Sequence, residues 1–330
     1  MCDKNTIRFG LNTCCYTRRW EEVDSWFDIS KRTGYPILQF DSDALDPFFS
    51  GDIVYQTQVA KAIKEKSQSY GMEIKGYYTG MASYRFHGIS HQDQSPREQM
   101  RQWIIRAMDL ASQMGTDTVG GRFDAYSVET LADPLRYRQR LECGVNLYRE
   151  LAVIGKEKGM KALELEQMSV PSLVPYQISQ AQDYYSRLNC DNHGCKITIT
   201  VDVGHAAGQK YGNVGEDLSY REWLKHFGAM SECIHIQQTR QGASDHSPFT
   251  RAANATGIVR IDEVLEAIRY SDRNWQNEPW SEYVKPESNH VLIVEYIPST
   301  TDPETEILDS LFETSEYLKR FIPSDGLVLA

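Results

Sequence analysis

Eight short apolar runs, each trailing into polar residues and separated by longer stretches, dominate this chain of 330 residues. They occupy residues 7–13, 36–40, 73–79, 116–122, 161–167, 197–204, 233–238 and 291–297. Each has strand length and is rich in Val, Ile, Leu, Phe or Tyr. The stretches between them carry helical spacing. Residues 97–114 place Trp103, Ala107, Leu110, Ala111 and Met114 on one face, and Gly115 stops the pattern. Residues 135–158 form a longer amphipathic segment ending at Gly159. Residues 261–270 and 304–321 repeat the pattern with Ile261, Val264, Leu265 and Ile268, and with Ile307, Leu308, Leu311 and Leu318. Strands alternating with helices, without a Pro/Gly/Ser-rich linker, predict parallel βα units. At this length a (β/α)8 TIM barrel fits best, as a single domain over residues 1–330. No GxGxxG follows the first run and no GxxxxGK[ST] is present, which argues against a doubly wound nucleotide-binding fold.

Charge and cysteine usage narrow the setting. The formal net charge of −11 disfavours nucleic acid as a partner, because an acidic chain repels phosphate backbones. No apolar stretch approaches the roughly 20 residues that span a bilayer, so no membrane association is expected. Seven cysteines without a CxxC pair argue against a disulfide scaffold and a zinc ribbon. The opening MCDKNTIRFG lacks the basic-then-apolar pattern of a secretory signal, and a cytoplasmic location is expected.

In a barrel of this kind the chemistry sits where strands end. The fifth run reads ALELEQM, and alternation puts Glu164 and Glu166 on one face. Two carboxylates inside a barrel are costly unless a cation or donor meets them. The sixth run delivers Asp202, the seventh His235 and Gln237, and the eighth Glu295. Four successive strands thus end in Glu166, Asp202, His235 and Glu295. Three carboxylates and one imidazole make a hard site for a divalent cation, Mn²⁺ or Mg²⁺ first, with Co²⁺ or Zn²⁺ as alternatives.

The segments LELEQMSVP, TVDVGH, CIHIQQT and LIVEYIP resemble the last four strands of the xylose-isomerase-like barrels, a superfamily of sugar and sugar-phosphate isomerases and epimerases. The order Glu, Asp-x-x-His, His, Glu is similar to that of the ketose 3-epimerases, and Asp202-Val-Gly-His205 matches its second element. TGMASYRFHGISH, EQMSVP and QQTRQGASDHSPFT bring the chain nearest to the tetrulose-phosphate (erythrulose phosphate) epimerases of erythritol catabolism. There are two departures. Many relatives carry His-x-Asp on strand seven, where this chain has His235-Ile-Gln237. Ser172 stands where a ketose 3-epimerase has a second, substrate-touching Glu.

The resemblance implies a metal-dependent epimerase or isomerase of a small ketose or ketose phosphate. Glu166 and Glu295 would remove and return a proton on opposite faces of the substrate, both also holding the metal with Asp202 and His235. His205 and Gln237 would touch substrate. Arg240, His246 and His87 would meet an anionic end, as would His91. Arg122 is open between substrate and a barrel carboxylate such as Glu164, with Gly120 and Gly121 permitting close approach to a ligand. The rival on the same barrel is a sugar or inosose dehydratase, which begins with the same proton abstraction. An apurinic endonuclease needs more His ligands, and strand two here ends Leu38-Gln-Phe-Asp-Ser42. The stretch 190–195, CDNHGC, lacks zinc-finger spacing and reads as a helix-to-strand turn. The Trp/Tyr-rich stretch 270–283 offers a lid, a contact in a homo-oligomer, or ordinary packing.

Overall fold

The computed structural model describes residues 5–80, 87–208 and 214–329. Eight parallel strands form the barrel wall: β1 (Thr6–Asn12), β2 (Ile37–Asp41), β3 (Glu73–Tyr78), β4 (Thr118–Gly121), β5 (Ala162–Glu166), β6 (Lys196–Thr200), β7 (Cys233–Ile236) and β8 (Asn289–Val294). Each is followed by a principal helix: α1 (Val23–Thr33), α2 (Ile53–Tyr70), α3 (Gln94–Met114), α4 (Pro134–Glu157), α5 (Ile178–Asn189), α6 (Tyr220–Phe227), α7 (Ile261–Asn274) and α8 (Glu304–Leu318). The expected (β/α)8 TIM barrel is thereby found. All eight runs became strands within a few residues of their expected bounds. Four of the helices, α1, α2, α5 and α6, had not been singled out from spacing.

The strands hydrogen-bond in the order β6-β5-β4-β3-β2-β1-β8-β7. The seam between β6 and β7 is closed by a single parallel bridge, Asp202 to His235, with His235 N donating to Val201 O at 2.9 Å. Two of the candidate ligands are therefore also the residues that close the wall. A short strand, Leu327–Val328, pairs antiparallel with β1.

The main apolar core lies between wall and helices, where Trp103, Tyr148, Tyr185, Trp223 and Phe227 are buried. A smaller cluster of Ile37, Cys233, Val291 and Ile293 fills the barrel interior. Below it, Lys75 and Lys161 pair with Glu232, and Lys161 and Lys196 with Glu287. Gly76, at φ 89, marks an irregular β2–β3 register, since Leu38 pairs with Ile74 but Phe40 with Tyr77. Tyr78 then lies on the interior face, its ring centroid 4.8 Å from that of His235. A Cβ on Gly120 would stand 2.1 Å from the Tyr78 ring, and one on Gly121 1.8 Å from Thr79 Oγ1. Those glycines accommodate neighbouring strand residues rather than a ligand.

The 270–283 stretch lies on the path from α7 into β8, at the end of the barrel away from the strand tips. Trp280 is fully buried, donates from Nε1 to His226 O at 3.1 Å and stacks with Trp275. Its turn packs against α5 and α6, and it is not among the residues lining the central cavity. The CDNHGC turn joins α5 to β6, as expected. No helix among the described residues is long and apolar enough to cross a membrane.

Candidate metal centre

Period-two alternation along each strand determines which side chains enter the barrel. On β5 it sends Glu164 and Glu166 inward, and on β7 it sends Cys233, His235 and the following Gln237. The upper layer then holds Glu166, Asp202, His235 and Glu295, one ligand atom from each lying within 4.8 Å of all the others. Trans ligands of an octahedral ion with bonds of about 2.1 Å are about 4.2 Å apart, so only a small contraction is needed.

Each member is fixed differently. Asp202 caps a one-turn helix (Val203–Ala207), its Oδ1 accepting from Gly204 N at 2.7 Å and His205 N at 2.8 Å. The Gln237 amide donates to both Asp202 oxygens, at 3.0 and 3.1 Å. His235 Nε2 lies 2.7 Å from Gln39 Oε1, which also accepts from Asn12 Nδ2 at 2.9 Å. With that acceptor behind it, Nε2 carries hydrogen and Nδ1 faces Glu166 Oε1 at 3.0 Å and Glu295 Oε2 at 3.6 Å. A bare Nδ1 lone pair would repel two carboxylates, so the position calls for a proton or a cation. Glu295 Oε2 is buried without an aligned hydrogen-bond partner, although His246 Nε2 is 3.3 Å away. An orphaned buried carboxylate oxygen facing an imidazole nitrogen fits a divalent ion.

The titration behaviour follows from this crowding. Burial opposes charge on His235, but the Glu295 charge and the hydrogen bond to Glu166 outweigh it and hold its pKa well above the usual imidazole range. His246 is likewise raised to about 9, burial being overcome by Glu295. Burial also acts on Glu295, yet His235 and His246 hold it well below the ordinary carboxylate range. Asp202 is shifted upward, chiefly by burial. The other inward carboxyl of β5, Glu164, is pushed by burial, then by Glu232, to about 8. Burial thus biases the Glu164 carboxyl toward its neutral form.

Above this layer opens a cavity of about 780 Å³, whose wall includes Glu166, Glu295, His205, His246 and Arg122. His205 Nδ1–H donates to Gln167 O at 3.0 Å. Arg122 donates to the carbonyls of Glu166 and Val174, at 2.9 and 2.5 Å, and not to Glu164. Three of the expected substrate contacts lie elsewhere. Gln237 is fully buried and spent on Asp202 and on His246 N. Arg240 is exposed and forms a two-pronged pair with Asp245, at 3.0 and 2.8 Å. His87 Nδ1–H donates to Ala125 O at 2.7 Å and, with His91, lines an adjoining apolar cavity of about 500 Å³. That cavity shares Asp46 and Phe49 with the central one but contains none of the four clustered ligands. Of the segment TGMASYRFHGISH, residues 81–86 lie outside the described residues. Arg18, Arg19 and Asp41 also line the central cavity, and Gln39 supports His235 from behind. No spacing signal marks Arg18 or Arg19, whereas strand parity on β2 places Gln39 and Asp41 inward.

Known proteins agree with this architecture. The curated D-erythrulose 1-phosphate 3-epimerase of Brucella abortus (strain 2308) is 21% identical over 263 residues, covering 79% of this chain and 83% of that protein. A provisionally named xylose isomerase of Rhodospirillum rubrum ATCC 11170 superposes with a TM-score of 0.80 at 20% identity, over 96% of this chain and 100% of the other. The D-psicose 3-epimerase of Clostridium cellulolyticum H10, solved with D-tagatose, gives 0.67 at 13% identity, over 95% and 98%. The family described as xylose isomerase-like TIM barrel matches residues 27–299, and the chain belongs to that family.

Proposed function

We propose that the protein is a divalent-metal-dependent epimerase of a small ketose or ketose phosphate, of the erythrulose phosphate 3-epimerase type, acting as a single barrel domain. The observation that carries this reading is the cluster of Glu166, Asp202, His235 and Glu295 around the orphaned Glu295 oxygen. The names of the Brucella relative and the D-psicose neighbour support the reaction class. The ion, Mn²⁺ or Mg²⁺ first, would supply Lewis acidity that stabilises negative charge developing on the ketose oxygens.

The protein's own groups do the rest. Glu166 and Glu295 both reach the cavity wall from different strands, β5 and the end of β8. One takes the proton from the carbinol carbon beside the carbonyl, and the other returns a proton to the opposite face, which inverts the centre. Arg122 steadies the Glu166 backbone, and His205, held by Gln167 O, presents its second ring nitrogen for a substrate oxygen.

A screen of ketoses and ketose phosphates by NMR in D₂O, with added Mn²⁺ or Mg²⁺, tests the proposal. Deuterium uptake at one C–H with retained sugar mass is expected. Loss of water from the sugar would instead identify a dehydratase and overturn epimerisation.

Metal binding itself carries a pH signature. Glu295 and Glu166 raise the His235 pKa in the metal-free protein, so an incoming cation is expected to displace a proton. Affinity is therefore expected to rise with pH, by up to about tenfold per unit, while the imidazolium is the stable form. Calorimetry in buffers of different ionisation enthalpy should register about one proton released. Affinity independent of pH would exclude His235 as a ligand.

A further inference from the structure

Three guanidinium groups line the central cavity, those of Arg18, Arg19 and Arg122. Among the described residues none of the three makes an ion pair with a carboxylate. Several arginines elsewhere do: Arg8 with Glu73, Arg101 with Glu150, Arg187 with Glu142 and Arg240 with Asp245. Arg122 and Arg19 are tethered only to backbone carbonyls, Arg19 to Ser299 O at 2.6 Å and Asp302 O at 3.3 Å. A carbonyl orients a guanidinium without cancelling its charge. The same wall carries Asp41, Asp43, Asp46, Glu166, Asp245 and Glu295, so the arginines are the positive side of a mixed wall.

Arg18 is the exposed member, and its side chain makes no hydrogen bond among the described residues. Its backbone sits at φ 66. Left-handed backbone is unfavourable for arginine, which lacks the short polar side chain that helps Asn or Asp there. The only other described non-glycine residue with positive φ is His246, at φ 48, and it lines the same cavity. Strained conformations of this kind gather at functional sites, where a loop must aim a side chain. Arg19 bonds the loop after β1 to the loop after β8, beside Glu295, so the Arg18 backbone has a fixed support. Of the wall's acidic residues, Asp41, Asp43 and Asp46 come from the end of β2 and the loop after it, and Glu166, Asp245 and Glu295 from the end of β5, the loop after β7 and the end of β8. Asp46 is bound to Trp103 Nε1 and to the amides of Phe48 and Phe49. Arg18 and Arg19, adjacent on the loop after β1, are thus a basic patch on one side of the cavity.

We propose that Arg18 receives the phosphate end of a ketose phosphate at the rim of this cavity, with the tethered Arg19 adding positive charge. Arg18 is then the residue that makes a phosphorylated ketose, rather than a free one, the substrate. This rests on the epimerase reading above. Arg240 and His87, the sequence-based candidates for that task, are turned to Asp245 and to the adjoining cavity.

The test has two arms. In the first, deuterium exchange is followed for erythrulose phosphate and for erythrulose, with metal-loaded wild type, Arg18→Gln, Arg18→Lys and Arg18→Gly. The wild type should prefer the phosphate. Arg18→Gln and Arg18→Gly should lower that preference about 10- to 100-fold, mainly through KM, as expected for loss of charge-assisted hydrogen bonds. Arg18→Lys should recover part of it. In the second arm, calorimetry measures inorganic phosphate binding to the metal-free proteins, which should weaken about tenfold or more in Arg18→Gln. An unchanged preference, an equal loss on both sugars, or phosphate binding unaffected by Arg18→Gln would each overturn the assignment. Wild type exchanging erythrulose without preferring its phosphate would overturn it while leaving the epimerase standing. Wild type exchanging neither sugar would sink the epimerase reading, and the phosphate arm would still decide whether Arg18 holds an anion.

Discussion

Glu166→Gln and Glu295→Gln are each expected to abolish deuterium exchange into substrate, with a loss of at least about 10³-fold. Glutamine keeps the volume and the hydrogen-bonding reach of glutamate but cannot take a proton. At Glu295 the change also places an amide against His246 Nε2, which lies 3.3 Å from Oε2 and belongs to a ring whose pKa Glu295 raises to about 9. At Glu166 it removes the negative charge that faces His235 Nδ1 at 3.0 Å. Both residues are proposed ligands as well as bases, so lost exchange alone does not separate the roles. Metal affinity should therefore be titrated in the same variants. A variant that still binds metal at saturating concentration yet exchanges nothing has lost its base. Exchange persisting in both variants would refute the two-carboxylate assignment, whatever the metal result. Because both side chains are on the cavity wall rather than in the apolar core, the fold should survive, which circular dichroism checks.

How much of this was readable beforehand follows from which contacts are local. Strand parity depends on neighbours in sequence, so the inward set Glu164, Glu166, His235 and Gln237 followed from the runs themselves. The convergence of Glu166, Asp202, His235 and Glu295 needed only the inference that adjacent strands are parallel. Contacts between distant elements were not legible. Gln237 sits at the correct parity for the cavity, but its amide is captured by Asp202 across the β6–β7 seam. Irregular loop geometry was not legible either: Arg240 lies on the long loop after β7, where Asp245, five residues away, closes it into a local pair. Helix α2 went unrecognised because Ile53, Val54 and Tyr55, in its first turn, are exposed and break the expected face. Arg18 carries no pattern at all. Its signal is a backbone dihedral and a missing partner, neither of which a sequence displays.

Gln237→Ala is the second large effect, and it decides whether this residue serves substrate or metal. Asp202 is wholly buried, and burial already shifts its carboxyl toward the protonated form. Removing Gln237 takes away two of its hydrogen bonds and leaves only the amides of Gly204 and His205. The carboxylate then competes less well for a cation, and a 10- to 100-fold loss of metal affinity is expected, steeper as pH falls. The same change strips His246 N, at a left-handed position, of its acceptor Gln237 Oε1 at 2.7 Å. A buried carboxylate oxygen, Asp202 Oδ2, and an amide left without their partners should together lower stability by about 1–3 kcal/mol, measurable by urea denaturation of the metal-free protein. An independent variant should give the same phenotype from the other side of the contact. A Cβ on Gly204 would stand 2.1 Å from Gln237 Cδ, so Gly204→Ala must displace the amide from Asp202. Weakened metal binding in both variants, with substrate KM little changed once metal is saturating, makes Gln237 a positioning residue acting through Asp202. Unaltered metal affinity with a raised KM would return it to the substrate.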